Sequence, residues 1–185
     1  ISPYGRSKLI VEWMLSDWYA RYKVPYVVLR YFNAAGCHPE KRLGEIHDPE
    51  PHIIPRFIMA GLNKDTVQIN GNAFPTPDGT CIRDYIHVWD LARAHVLAAE
   101  AKHDSPMMLN IGTGQGTSIL EVLKTLENLL GYSLKIEWGP PREGDPPALV
   151  ADASKAMRQF SWQPDYSSIE MIVQTAINWF ESQTK

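Results

Sequence analysis

Cysteine is scarce in this 185-residue sequence. Cys37 and Cys81 are the only two, too few for a disulfide scaffold or a cysteine-rich zinc site. Positive charge is not in excess either: 18 Lys and Arg stand against 21 Asp and Glu, for a net charge of −3, and no basic cluster interrupts the mixed pattern. That argues against a nucleic-acid or anionic-membrane partner. There is no apolar run of about 18 residues and no signal-peptide pattern, so no membrane span is expected and a reducing cytoplasm is the default setting. An initiator Met is missing as well. The chain opens Ile1-Ser2-Pro3 with its first helix already under way, which leads us to expect the second part of a longer protein. The remainder is ordinary for a soluble globular chain, 44% hydrophobic and 21% charged, with six Trp and eight Tyr for aromatic packing. The length suffices for one domain, or one and a part.

The head of the chain reads Ser2-Pro3-Tyr4-Gly5-Arg6-Ser7-Lys8. Behind it Ile10, Trp13, Met14, Trp18 and Tyr22, with Val11 and Leu15 alongside, recur at helical spacing. An amphipathic helix from Tyr4 to about Tyr22 follows, ended by Lys23-Val24-Pro25. Tyr4 and Lys8, four residues apart, share one face of it. A phenol, with a reference pKa of about 10, is a poor base at neutral pH unless a fixed cation stabilises its phenolate. Lys8 can be that cation, and such a tyrosine can take a proton from a substrate hydroxyl. The same spacing also occurs on ordinary surface helices. What favours chemistry is the next segment, Val24 to Asn33, a short apolar run read as a buried parallel strand. Ligands in open α/β sheets bind at the carboxyl ends of such strands.

After it, Asn33 to Pro51 is a loop carrying Gly36, Pro39, Gly44, Pro49 and Pro51, and a connection of that length is more often functional than idle. A helix is expected over His52 to Leu62, with Pro55 in its first turn, then a strand over Thr66 to Ile69 and a turn-rich excursion to Thr80. Cys81 to Val88 is strand-like. Asp90 is expected to cap a helix from Leu91 to Lys102. Met108 to Ile111 forms a second core strand. A capping box of Ser118 and Glu121 starts a helix that Gly131 stops. A strand over Leu134 to Trp138, an irregular stretch from Gly139 to Pro147, and helices over Ser154 to Phe160 and Ser168 to Ser182 complete the chain, the last boxed by Ser167 and Glu170.

Gly112, Gly114 and Gly116 lie between a strand and a helix, as a dinucleotide fingerprint would, but that fingerprint needs a third glycine where Thr117 stands. A tight turn lining a pocket fits better. Arg142 and Asp145, in a proline-rich loop, suit either a diphosphate grip with a ribose contact or a solvated salt bridge. Arg83, Asp84 and Tyr85 are open to the same two readings. His47, His52 and His87 lack a spacing such as H-x-x-x-H, so no metal site is expected.

Four blocks nevertheless resemble one family together: Ser2-Pro3-Tyr4-Gly5-Arg6-Ser7-Lys8; Arg30-Tyr31-Phe32-Asn33-Ala34-Ala35-Gly36; Phe74-Pro75-Thr76-Pro77-Asp78-Gly79-Thr80-Cys81-Ile82-Arg83-Asp84-Tyr85-Ile86-His87-Val88; and Arg142-Glu143-Gly144-Asp145. They resemble the UDP-glucose 4-epimerases of the extended short-chain dehydrogenase/reductase family, colinearly over essentially the whole chain. The resemblance implies an α/β, Rossmann-type NAD-binding fold. Residues 1–35 and about 81–112 would be the end of the Rossmann domain, and about 36–80 and 113–185 mostly the smaller mixed α/β domain for the UDP-sugar.

It also implies the chemistry. Tyr4 would take the proton of the sugar 4-hydroxyl while hydride leaves C4 for tightly held NAD, and Lys8 would assist Tyr4 and bind the nicotinamide ribose. The resulting 4-keto sugar would turn over and be reduced on its other face. Tyr31 and Ala34 would lie by the nicotinamide, Asn33 by the diphosphate, and His52 and Ile53 along the cleft. Gln68 and Asn70 would flank the uracil, Arg83 and Arg142 would neutralise the diphosphate, and Tyr85 and Ile119 would pack nearby. Asp145 would hold the uridine ribose. Leu149 stands where side-chain bulk limits room for the sugar's 2-substituent. A UDP-hexose substrate and a homodimer of the full-length protein are implied too, and a fragment that is inactive alone. The family's glycine-rich loop and the Ser/Thr that meets the 4-hydroxyl precede these residues. Rival readings are another UDP-sugar 4-epimerase, a sugar-nucleotide dehydratase, or a non-catalytic UDP-sugar-binding module.

Overall fold

The computed structural model describes residues 3–183, so Ser2 of the first block lies outside the described residues. The helix predicted at the head is present as α1, Pro3–Tyr22. Its apolar stripe, however, is not buried: Trp13, Met14, Trp18 and Tyr22 are all more than half exposed. Among the described residues that stripe faces solvent. On its other side the helix is tied to the strand residue Arg30 through Glu12, and to the loop at Asp104, whose carbonyl accepts from the Tyr19 hydroxyl at 3.1 Å.

The apolar run forms β1, Val27–Tyr31, and directly after it β2, Asn33–Ala35. β1 runs parallel to β6, Met107–Ile111, from Val27 opposite Met107 to Tyr31 opposite Ile111. β2 runs parallel to β5, Tyr85–His87. The change of partner falls at Phe32: its amide donates to Ile111 O, and the next, of Asn33, donates to Asp84 O. Two further sheets complete the set among the described residues. β3, Val67–Asn70, lies parallel to β8, Ile136–Gly139. β4, Ile82–Arg83, sits between antiparallel β7, Thr117–Ser118, and parallel β9, Ala148–Leu149.

Helices α2, Ile53–Asn63, α4, Ile119–Leu130, and α6, Ile169–Gln183, enclose one core with Phe57, Ile58, Leu126, Ile172 and Val173 almost wholly buried. α3, Val88–Glu100, and α5, Ser154–Phe160, pack with β6 around a second, built on Leu109, Ile111, Ala156 and Trp162. The box that starts α4 is complete: Ser118 Oγ accepts from the Glu121 amide at 3.1 Å and Glu121 Oε2 accepts from the Ser118 amide at 2.7 Å. Gly131 ends it at φ 79.

Two other caps differ from expectation. α3 begins at Val88, capped by His87, whose Nδ1 accepts from the Trp89 amide at 3.0 Å. Asp90 is instead fully buried in the first turn and accepts from the Tyr166 amide and Ser167 Oγ. With Ser167 so engaged, Ser168 serves α6, its Oγ accepting from the Met171 amide at 3.2 Å. Both differences have one cause: a long-range hydrogen bond outcompetes the local one.

Candidate active site

The break between β1 and β2 opens a cleft of about 830 Å³ at the carboxyl ends of parallel strands. Tyr31, Phe32, Asn33 and Ala34 form its floor, α1 brings Tyr4 to one side, and β9 brings Leu149. The loop after β2 supplies His38, Leu43, Gly44 and Glu45, and His52 stands at the entry to α2. A strand that changes neighbours leaves a crevice at the change, the ordinary place for a ligand in such sheets. Tyr4 is 73% exposed, and Lys8 Nζ lies over its ring, 5.2 Å from the centroid.

The floor is held from beneath by buried polar groups. Gly36, at φ 81, lies against the His87 ring so tightly that a Cβ there would come within 2.7 Å of it. His87 is fully buried. Since its Nδ1 accepts from Trp89, its Nε2 carries the proton and donates to Thr175 Oγ1 at 2.9 Å. Burial pushes the His87 pKa down to about 4, with the Asp90 charge pulling weakly the other way.

Asp84, likewise fully buried, accepts from the Thr113 amide and hydroxyl, the Gly114 amide and the Ala151 amide. This explains the glycine turn. A Cβ on Gly112 would sit 2.7 Å from Asp84 Oδ2, so the glycine lets the turn close on a carboxylate. The three glycines therefore serve a turn anchored by Asp84, and no room is reserved there for a pyrophosphate.

Of the residues singled out from sequence, Tyr4, Tyr31, Asn33, Ala34, His52 and Leu149 line the cleft together, and Lys8 is one helical turn from Tyr4. The others stand elsewhere. Arg83, 8% exposed, donates to Ile82 O and Pro146 O and pairs with Asp145, so these two expected ligand-binding groups engage each other. Arg142 is exposed on the loop they anchor. Gln68 accepts from Arg56 Nη2 at 3.4 Å, and Asn70 ends β3 beside Gly139. Ile53 and Ile119 pack in the first core. Tyr85 is in that core too, its buried hydroxyl has no hydrogen-bond partner among the described residues, and burial pushes its phenol pKa up.

Sequence reasoning had not singled out His38, Leu43, Glu45 and Trp89 as lining residues. The length of the loop was the only signal for the first three. Trp89 follows the Cys81 to Val88 block directly and stacks edge-on with His38, ring centroids 4.8 Å apart.

Residues 1–112 match the NAD dependent epimerase/dehydratase family. A UDP-glucose 4-epimerase of Halalkalibacterium halodurans is 44% identical over 181 residues, covering 96% of this chain and 54% of that protein. The crystal structure of UDP-glucose 4-epimerase from Brucella ovis in complex with NAD superposes with a TM-score of 0.89 at 48% identity, over 97% of this chain and 56% of the other. That of the Bifidobacterium longum enzyme in complex with NAD+ and UDP gives a TM-score of 0.93 at 37% identity, over 99% and 56%. The chain thus spans about half the length of the curated relatives it matches.

Proposed function

The chain belongs to the NAD dependent epimerase/dehydratase family, and from that premise we propose that the protein carrying it interconverts UDP-glucose and UDP-galactose by NAD-dependent epimerisation at C4. The observation that carries the proposal is Tyr4 on a wall of the cleft where β1 gives way to β2, with Lys8 one turn away on the same helix. The residues present suit NAD. An aromatic and small-residue floor of Tyr31, Phe32 and Ala34 accepts a flat ring, and an ammonium beside a phenol suits a ribose diol. NAD, when bound, supplies a hydride acceptor at the sugar's C4 and returns the hydride later.

This chain's own groups then have distinct tasks. Tyr4 takes the 4-hydroxyl proton and gives it back, and Lys8 stabilises the phenolate and holds the ribose. Tyr31 and Ala34 border the nicotinamide. Asn33, His52 and Leu149 face the sugar-nucleotide. Arg83 and Arg142 take the diphosphate and Asp145 the uridine ribose, so the Arg83–Asp145 pair must open or be shared when substrate enters. Gln68 and Asn70 flank the uracil, and Ile53, Tyr85 and Ile119 back the site. The domain division follows the same reading: residues 1–35 and 81–112 with the cofactor, 36–80 and 113–185 mostly with the substrate. A homodimer would use the exposed apolar stripe of α1. A reducing cytoplasm suits the two free, buried cysteines.

The test is conversion of UDP-galactose to UDP-glucose by the full-length protein, compared with its Tyr4→Phe variant. Turnover is expected to fall at least about 100-fold, as for loss of a general base, with affinity for UDP retained. Near-normal turnover in the variant removes Tyr4 as the base. No conversion by the wild type removes the reading.

A further inference from the structure

We propose that Glu45, His47, Glu50 and His52 form a binding site for a divalent cation of borderline softness, Zn²⁺ being the type, at the edge of the cleft. The four side chains come from one eight-residue stretch, and one donor atom of each lies within 4.8 Å of all the others. His47 Nδ1 is 3.0 Å from Glu45 Oε1 and 3.6 Å from Glu50 Oε2, and His52 Nδ1 is 3.2 Å from Glu50 Oε1 and in contact with Glu45 Oε1. Ligands about 2.0–2.1 Å from a tetrahedral zinc stand roughly 3.3 Å apart. The histidine–carboxylate distances of 3.0, 3.2 and 3.6 Å are already near that spacing.

The surroundings keep them there. Glu50, whose side chain is only 5% exposed, is oriented by the His52 amide, which donates to Oε1 at 2.8 Å. Glu45 is tethered through its carbonyl, which accepts from Trp179 Nε1 at 3.3 Å, and neighbouring Gly44 lies flat on the Trp179 ring. His52 precedes α2 yet makes no side-chain cap bond, so its ring is given to the cluster. Two imidazoles with two carboxylates offer an N₂O₂ set whose charge offsets a divalent ion, and imidazole selects zinc-like cations over Mg²⁺ or Ca²⁺. The pattern E-x-H-x-x-E-x-H is invisible to a search for paired histidines four apart. Since Glu45 and His52 also line the cleft, an ion here would stiffen that wall and draw His52 away from substrate.

Titration calorimetry with Zn²⁺ on the purified protein, in a non-coordinating buffer, should show one ion per chain. His47→Ala and Glu50→Gln should each weaken binding by at least about tenfold. Co²⁺ should give the strong visible absorption of a tetrahedral site, and zinc X-ray absorption of the wild type should show two imidazole ligands, a readout that stands even if a variant misfolds. Absence of saturable binding, affinity unchanged in both variants, or a first shell without imidazole overturns the proposal. None of these readouts depends on epimerase activity.

Discussion

Leu149 reaches the cleft from β9, where it is paired with Arg83 and its carbonyl accepts from the Asp84 amide at 3.1 Å. Its backbone is therefore fixed and only the side chain sets the room beside it. The resemblance implies that side-chain bulk at this place limits room for the sugar's 2-substituent, and Leu149 is smaller than a tyrosine and lacks its hydroxyl. The full-length protein is expected to epimerise UDP-N-acetylglucosamine as well. Leu149→Tyr should lower kcat/KM for that substrate by at least about tenfold relative to UDP-galactose, the scale on which pocket size discriminates. An unchanged ratio, or no N-acetyl activity in the wild type, defeats the expectation. Tyr4, read from its spacing to Lys8, and Asn33 and Leu149, which only the resemblance singled out, all line the cleft. Arg142 and Asp145 were legible as a local charged pair, but that Asp145 meets Arg83 instead depends on β4 and β9 lying side by side, which no local pattern encodes.

At the level of elements, local signals succeeded where the partner was close in sequence. Ser118 and Glu121, three apart, cap α4 as their spacing predicts. Asp90 and Ser167 depart from their local capping pattern because each is engaged by the other, 77 residues away, rather than by a helix amide. His87 is the most consequential element-scale residue. It caps α3, lies against Gly36 just after β2 and binds α6 through Thr175. Its folded pKa of about 4 lies below the ordinary 6.5, so between those values the unfolded chain binds more protons than the folded one. This contribution is present in full above about pH 6.5 and is lost as pH falls towards 4, with about 2 kcal/mol gone by pH 5. Urea unfolding at pH 7 and pH 5 should show that loss in the wild type and a shallower one in His87→Gln. Equal losses in both would assign the acid sensitivity to other groups.

For the molecule as a whole, the exposure of α1 sets the decisive condition on activity. Tyr4 stands 73% exposed and the apolar stripe behind it is uncovered among the described residues. An ammonium and a phenolate about 4 Å apart attract by only about 1 kcal/mol in water and by several times that in a drier site. Lys8 can do little for Tyr4 until something excludes solvent. Nor do these 185 residues contain a glycine fingerprint, whose helix N-terminus would hold a pyrophosphate, and the one glycine turn resembling it closes on Asp84. The chain by itself, supplied with NAD and UDP-galactose, is therefore expected to form no UDP-glucose above the buffer background, while the full-length protein turns over under the same conditions. Conversion by the 185-residue chain alone would show that the cleft between β1 and β2 is sufficient, and that the exposed Tyr4 needs no cover to act.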